Sequence, residues 1–196
     1  MKIENLTLSN DVVRLVPLEI EHRKELLEAS KDGNLANLWY TTVPNEDTIN
    51  NYISKALEDR DMNISYPFVI IDTISNKIIG TSRFLNIDVE NKRLEIGNTW
   101  YAKSAQRTNI NTNCKLLLLN YSFEVFGAIA VEFRTHWHNH KSRAAIARLG
   151  AKQDGVLRNH SMHENGEYRD TVVFSIINHE WPVVKKSLTY KANFKA

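Results

Sequence analysis

The segment from Leu94 to Gly127 constrains the fold most, because it joins a β-strand to a long apolar helix through one short polar loop. The strand reads L-E-I-G-N-T-W-Y-A, and the loop that follows it spans Lys103–Asn111. The helix is predicted from about Asn111 to Phe126, because the apolar run stops at Gly127 and glycine commonly ends helices. A chain that combines such strands and helices is typical of one α/β or α+β domain.

The predicted strand Leu94–Ala102 should place successive side chains on opposite faces of its sheet. Its two faces would carry Leu94, Ile96, Asn98 and Trp100 on one side and Glu95, Gly97, Thr99 and Tyr101 on the other. The strand is therefore expected to be half-buried, with Glu95 pointing away from Ile96 and Trp100.

The start of the predicted helix carries no acidic side chain. Its first turn contains Thr112, Asn113, Cys114 and Lys115, although Asp and Glu are normally favoured there. Free backbone N–H groups at a helix N-terminus, with Arg107 beside them, make a site for phosphate or pyrophosphate. The alternative is an ordinary strand-to-helix turn without a ligand.

Composition excludes several classes of protein. The 196 residues are 42% hydrophobic and 24% charged, which argues against disorder. The formal charge of +2 and the pI of 8.6 fall short of the basic footprint of nucleic-acid-binding domains. The single cysteine, Cys114, excludes an internal disulfide. Because there is no signal-peptide core and no apolar run of about 18 residues, we expect a cytoplasmic protein without a membrane partner.

Further strands and helices are predicted along the chain. The strands are expected at Val12–Leu18, Pro67–Asp72, Lys77–Leu85, Ile129–Arg134, Gly155–Met162 and Tyr168–Ile177, the last two joined across Asn165-Gly166, a strong hairpin signal. Helices are expected over Glu19–Ser30 with Ile20, Leu26 and Leu27 inward, from an Asn45 or Asp47 cap to about Arg60, from an Asn139 cap through Leu149, and from about His179. No repeat or linker interrupts this pattern, so residues 1–196 are predicted to form one domain.

Four blocks of sequence carry a resemblance to a known family. They are L-E-I-G-N-T-W-Y-A-K-S-A-Q-R-T-N-I-N-T-N-C-K-L-L-L-L, N-H-K-S-R-A-A-I-A-R-L-G-A, G-V-L-R-N-H and R-D-T-V-V-F-S-I-I-N-H-E-W-P. Together they resemble the GNAT acetyltransferase superfamily, specifically its RimJ/RimL-like branch. The resemblance implies an α/β (α+β) fold with a mixed, twisted, seven-stranded sheet flanked by helices, and acetyl-CoA as acyl donor.

The cofactor loop of that family reads Q/R-x-x-G-x-G/A. Gln106 fits its first position, whereas Asn109 and Asn111 replace both glycines. Because Asn tolerates positive φ better than other non-glycine residues, we expect these two residues to preserve the turn. The resemblance implies that acetyl-CoA contacts Thr99, Trp100, Tyr101, Gln106, Arg107, Thr108, Asn109, Ile110, Asn111, Thr112 and Asn139.

The resemblance also implies catalytic residues. An ammonium has no lone pair, so the acceptor amine must be deprotonated before it attacks the thioester, and Glu95 matches the Glu of the family's E-I-G strand. Alternatives are a solvent-facing Glu95 or a water chain with no single base. Many relatives have a tyrosine that protonates the leaving thiolate, but Ile146 stands at that position, and Ser142 is the candidate instead. Asn139 and Ser142 could also serve only to cap their helix.

Several features leave the function open. Trp39 and Tyr40 lie in a polar stretch where relatives bind the acceptor, and they could equally be buried. His136, His138 and His140 alternate, but the run crosses a predicted strand end and helix cap, so no metal site is expected. The acceptor could be a protein N-terminus or a small amine. A CoA-binding module without transfer activity is the alternative, and a homodimer with Trp181 and Pro182 in its contact is possible.

Overall fold

The computed structural model describes residues 5–163 and 166–193. Its strands are β1 (Leu8–Ser9), β2 (Val13–Pro17), β3 (Ser65–Asp72), β4 (Lys77–Asp88), β5 (Arg93–Tyr101), β6 (Ala130–His136), β7 (Lys152–Met162) and β8 (Tyr168–Ile177). Its α-helices are α1 (Arg23–Lys31), α2 (Ile49–Asp61), α3 (Ile110–Asn120), α4 (His140–Arg148) and α5 (Trp181–Asn193).

All eight strands belong to one sheet, in the order β1-β2-β3-β4-β5-β6-β8-β7. Neighbouring strands pair antiparallel except for β5 and β6, which pair parallel. The predicted mixed α/β fold is confirmed, and the seven predicted strands are all present. The additional strand is β1, whose two residues are too few to show the alternation by which strands are recognised in a sequence.

The sheet separates two apolar cores. The larger core lies between the sheet and helices α3 and α5, and includes Leu15, Phe68, Phe84, Leu94, Phe133, Leu118, Leu119 and Leu188. The smaller core lies under α1 and α2, and includes Leu18, Leu26, Ile49, Ile53, Val69, Ile71 and Trp100. Strand β3 contributes Phe68 to one core and Val69 to the other, as alternation along a central strand requires.

Two predicted helices differ from the structure in detail. The first begins with a 3-10 turn, Ile20–His22, before α1. Because this turn lies outside the amphipathic helix, Ile20 is 50% exposed and its predicted inward position is wrong, whereas Leu26 and Leu27 are buried. The long apolar helix is α3 continued by a π-helical turn, Tyr121–Val125. It ends before Gly127, whose φ is +74°.

The structure differs from the predicted cap of the second helix and shows the predicted pairing of the last two strands. Thr48 occupies the N-cap of α2, and the Asn45 side chain instead accepts hydrogen bonds from the backbone N–H groups of Asp47 and Thr48. Strands β7 and β8 pair antiparallel up to Met162 and Tyr168. Asn165 of the predicted turn lies outside the described residues. None of the described helices is both long and apolar enough to span a bilayer.

Candidate active site

Strands β5 and β6 part soon after they begin to pair. Their parallel register covers only Arg93 with Ala130, Leu94 with Val131, and Glu95 with Glu132. Beyond it β5 continues to Tyr101 and β6 to His136, each hydrogen-bonded to its outer neighbour, β4 or β8. A gap therefore opens between the carboxyl ends of the two strands, and we call this gap the wedge. Ligands of open α/β sheets bind at such carboxyl ends.

A β-bulge lies on the β5 side of the wedge. Thr81 pairs with Trp100 and Arg83 pairs with Gly97, so two steps along β4 face three steps along β5. The extra residue is accommodated where Asn98 adopts a φ of +47°. A bulge of this kind bends the strand and redirects the side chains that follow it.

The bulge makes the predicted faces of β5 wrong beyond Gly97. Tyr101 lies in the larger core with Leu94 and Ile96, whereas Trp100 lies in the smaller core. Thr99 is hydrogen-bonded to Lys115 of α3, on the larger-core side. One inserted residue shifts the two-residue period by one, so every later side chain changes face. Trp100 therefore shares the face of Glu95 rather than that of Ile96.

Glu95 lies at the narrow end of the wedge and is only 7% exposed. Its Oε2 accepts a hydrogen bond of 2.9 Å from Asn86 Nδ2 and lies 3.5 Å from Arg134 Nε. Burial raises the pKa of the Glu95 carboxyl, and the neighbouring Arg134 charge and the Asn86 hydrogen bond oppose that increase only in part. A carboxylate with a raised pKa is suited to accept a proton near neutral pH. Neither Asn86 nor Arg134 belongs to a motif, so the sequence gives no sign that they contact Glu95.

The loop between β5 and α3 turns at a different residue from the one predicted. Arg107 has a φ of +60°, whereas Asn109 has a φ of −76° and Asn111 is helical. The expectation that Asn109 and Asn111 preserve the turn through positive φ is therefore wrong. The chain reverses two residues earlier, where the exposed Arg107 side chain meets no packing constraint. Gln106 fixes the loop by donating a 2.9 Å hydrogen bond from Nε2 to the Tyr101 carbonyl oxygen.

Helix α3 begins with open backbone donors. The side chain of Asn109, the N-cap residue, makes no capping hydrogen bond, and the first turn contains no acidic residue. The Thr108 hydroxyl donates to the Ala105 carbonyl oxygen and accepts a long hydrogen bond of 3.3 Å from the Ile110 N–H. The side chains of Ile110 and Thr112 are buried, so a ligand at this end of the helix could meet only the backbone of these two residues.

Helix α4 begins on the opposite side of the wedge, after β6. The Asn139 side chain caps it by accepting a 3.0 Å hydrogen bond from the backbone N–H of Ser142, so the predicted cap is confirmed. Since the cap uses the backbone of Ser142, its hydroxyl is not consumed by capping. The position at which many relatives carry tyrosine is Ile146, which is buried.

An aromatic cluster covers the end of β6. Trp39 is 60% exposed, and its ring lies 4.9 Å from the His136 ring, 5.8 Å from the His138 ring and 6.4 Å from the His163 ring, with Tyr40 at 5.5 Å. The alternation of His136, His138 and His140 gives no sign of this cluster, because Trp39 and His163 are distant from them in sequence. Among the described residues, no group of three or more His, Cys, Asp or Glu side chains is arranged to hold a metal.

His136 is the buried histidine of this cluster. Its Nδ1 accepts a 3.0 Å hydrogen bond from the backbone N–H of His138, so the neutral ring carries its hydrogen on Nε2. Burial, Arg169 and the two neighbouring histidines lower the pKa of His136. Within the described chain, the buried Nε2 has no partner. His136 therefore presents a free N–H rather than a base.

Comparison with known proteins gives the family. The acetyltransferase (GNAT) domain family matches residues 13–152. A Bacillus subtilis (strain 168) protein named "Putative ribosomal N-acetyltransferase YdaF" is 33% identical over 96 residues, which cover 49% of this chain and 51% of YdaF. The chain thus spans about half the length of this curated relative.

Solved structures show that the fold is shared along the whole chain. A GCN5-related N-acetyltransferase from Brucella melitensis superposes with a TM-score of 0.89 and 28% identity, over 100% of this chain and 90% of that one. Mycobacterium smegmatis RimJ, solved in complex with CoA-disulfide, shares the fold with a TM-score of 0.78 and 19% identity, over 95% and 94% of the two chains. The chain therefore belongs to the GNAT acetyltransferase family.

Proposed function

We propose that the protein, acting as one domain, transfers an acetyl group directly from acetyl-CoA to a primary amine while both substrates occupy the wedge. The observation that carries the proposal is the position of Glu95. It is a buried carboxylate with a raised pKa, between two strands whose facing edges are free to bind substrates. Acetyl-CoA is the acyl donor used by the family, and it supplies an activated thioester.

The residues around the wedge fit this donor. The N-terminus of α3 offers uncapped backbone N–H groups without a competing carboxylate, and Arg107 adds an exposed positive charge for a pyrophosphate. The site would be completed by Gln106, Thr108 and Asn109 of the loop and by Ile110, Asn111 and Thr112 in the first turn of α3. The backbone of Thr99, Trp100 and Tyr101 would bind the extended arm of the donor along the inner edge of β5. Asn139 would contact the same arm from α4.

Glu95 would prepare the acceptor. It takes a proton from the ammonium, directly or through one water, and the freed lone pair forms the C–N bond as the carbonyl electron pair moves to oxygen. When the carbonyl re-forms, the C–S bond breaks and its electron pair leaves on sulfur. Ser142 assists by donating a hydrogen bond to the departing sulfur. The ammonium loses two protons overall. Glu95 accepts the first and releases it to solvent, and the departing sulfur takes the second.

The aromatic cluster would bind the acceptor. The exposed Trp39 and the half-buried Tyr40 would form its wall, and His136 Nε2 would offer a buried donor to a carbonyl oxygen next to the reacting amine. A protein N-terminus carries such a carbonyl, and a small amine with a neighbouring carbonyl would fit equally. The name of YdaF refers to ribosomal substrates, so peptides with the N-termini of ribosomal proteins are the first acceptors to screen.

The first experiment is calorimetric titration with acetyl-CoA. We expect micromolar binding to the wild type and loss of binding in Arg107→Glu, which reverses the charge beside the helix N-terminus. Arg107→Gly is the matched control, because glycine accepts the positive φ of this residue and removes the charge without reversing it. It should bind with intermediate affinity. Absence of binding to the wild type at millimolar acetyl-CoA would refute the proposal.

The second experiment tests transfer. Peptides with free N-termini, their N-acetylated counterparts, small amines and polyamines are incubated with acetyl-CoA, and acetylated products are detected by mass spectrometry. We expect transfer to free amines only, and loss of transfer in Glu95→Gln.

A CoA-binding module without transfer activity is the alternative. It is favoured by Asn109 and Asn111 in place of glycines and by the apolar Ile146. Tight acetyl-CoA binding without any acetylated product would support this alternative.

A homodimer remains a prediction. Trp181 does not favour it, because it is buried in the larger core and donates a 3.0 Å hydrogen bond to Glu124 Oε1. Light scattering of the purified protein would decide the oligomeric state.

A further inference from the structure

Lys115 is a cation inside the larger core. The residue is 5% exposed, and Nζ donates hydrogen bonds of 2.6 Å to Thr99 Oγ1 and 3.1 Å to Ser82 Oγ. These two hydroxyls are 2.7 Å apart and bonded to each other. In the described part of the chain, no carboxylate forms an ion pair with Lys115. Burial lowers the pKa of Lys115 to about 8, so the ammonium is still protonated at neutral pH.

Arg83 is a second buried cation, on the opposite face of the sheet. It follows Ser82 in β4 and is 4% exposed. Its guanidinium carbon lies 4.7 Å from the centroid of the Tyr52 ring, and its buried Nε has no hydrogen-bond partner. Within residues 5–163 and 166–193 no acidic side chain pairs with it. A cation–π contact compensates only part of the hydration that a buried guanidinium loses.

The two cations lie on either side of the bulge in β5. Lys115 holds Thr99, immediately after Asn98, and Arg83 pairs in register with Gly97, immediately before Asn98. The bulge forms one wall of the wedge. Buried cations without a carboxylate to balance them are costly to the fold, and two of them at one point of the sheet create a strong positive potential there. That potential is available to an anion that binds or forms in the wedge.

We propose that Lys115 and Arg83 are positioning residues that stabilise negative charge on the acyl oxygen and on the departing sulfur. The inference rests on the proposed function, because transfer is the process that creates this charge. Neither residue is required to touch the substrates. Lys115 acts through the Thr99 and Ser82 hydroxyls. It polarises these two groups, and they in turn hold the bulge in place. Arg83 acts through its field, which a low-dielectric interior screens weakly.

The test compares two coenzyme A thioethers of nearly equal shape. S-carboxymethyl-CoA carries a negative charge where the acyl oxygen develops one, and S-carbamoylmethyl-CoA is its neutral amide. Calorimetry gives the ratio of their dissociation constants without any need for turnover. We expect the wild type to prefer the carboxylate at least tenfold, and Lys115→Met and Arg83→Met each to reduce that preference to threefold or less. The neutral amide should bind all variants with similar affinity.

Two variants serve as controls. Arg83→Lys keeps the positive charge, so it should keep most of the preference for the carboxylate. Lys77→Met removes the same charge at an exposed position in β4, so it should leave the preference unchanged. Binding of the neutral amide shows in each case that the site is folded. Since the two cations lie on opposite faces, Arg83→Met still tests the inference if Lys115→Met fails to fold.

Three results would overturn the inference. The first is a wild type that binds both thioethers equally, because then no positive potential acts on the ligand. The second is an equal loss of affinity for both thioethers in the variants, which would show a purely structural role. The third is the absence of binding to either thioether, and only this result would also remove the proposed function.

Discussion

Substitution of Gly97 by alanine tests whether the position of Glu95 matters for transfer. A Cβ on Gly97 would lie 2.7 Å from Leu85 Cδ1 and 3.0 Å from Glu95 Oε1, whereas ordinary contact begins at 3.4 Å. Leu85 must therefore move by about 0.7 Å and the Glu95 oxygen by about 0.4 Å. The carboxylate has little freedom to move, because Asn86 and Arg134 hold its other oxygen.

The expected cost has a structural and a catalytic part. Overpacking typically costs about 1–3 kcal/mol, and replacing a glycine in a strand returns about 0.5–1 kcal/mol. A net loss of about 1 kcal/mol should lower Tm by about 2–4 °C. Misplacement by 1 Å can cost about 100-fold in rate, so a shift of less than half that size should reduce kcat/KM about fivefold to tenfold.

Stability is measured by differential scanning calorimetry, and transfer by release of CoA with the acceptor identified in the screen. Gly155→Ala is the matched control, because a Cβ there meets no atom within 4 Å. Adding Leu85→Val to Gly97→Ala removes the clash with leucine only, so it should restore Tm but not kcat/KM. Wild-type kcat/KM in Gly97→Ala would refute the reasoning, since the carboxylate would then tolerate displacement.

Three further predictions follow from the same geometry. Glu95→Gln should reduce kcat about 10²-fold to 10⁴-fold, and its pH–rate profile should lose the acidic limb. In the wild type this limb lies above the ordinary pH range of glutamate, because burial raises the pKa of Glu95. An unchanged profile would contradict a base role. Asn139→Ala should destabilise the protein by about 1 kcal/mol, because the backbone N–H of Ser142 loses its cap, while Asn139→Asp should retain stability. Urea unfolding of both variants without CoA measures the capping role separately from any contact with CoA. Burial lowers the pKa of Lys115 to about 8 from 10.5, so between these pH values the unfolded chain binds this proton more strongly and wild-type stability rises with pH. Relative to Lys115→Met, the free energy of unfolding of the wild type should rise by at most about 3 kcal/mol. Urea unfolding of both proteins at a series of pH values measures this rise, and parallel pH dependences of the two proteins would contradict it.

The fold was predictable because local patterns and sequence blocks point to the same answer. The Asn139 cap and Gly127 are local signals that the structure confirms, and strand alternation placed all seven predicted strands, although it fails within β5 beyond Gly97. Among the strands of the described residues, β1 alone was not predicted, because it contains two residues and depends on its pairing with β2.

The candidate site was only partly predictable. Glu95 is identified as a candidate by its motif, but the face on which Trp100 lies is not predictable. Asn98 fits the alternating pattern of the strand, and only the pairing with β4 shows that it is the extra residue of a bulge. The positive φ of Arg107 has no sequence signal either, since asparagine is the better candidate on propensity alone. Lys115 could have been noticed as a lone charge in an apolar run. Its partners lie on two strands that only the tertiary structure brings together.

The parting of β5 and β6 also has a consequence for the life of the protein in a cell. Peptide groups that face the wedge find no partner on the neighbouring strand, so a molecule that supplies partners binds the folded chain and not the unfolded one. Such a ligand stabilises the fold by mass action, by about 2.7 kcal/mol at a free concentration of 100 times its dissociation constant. Resistance to proteolysis would then rise and fall with the acyl-donor supply, which would couple the amount of the protein to the metabolic state.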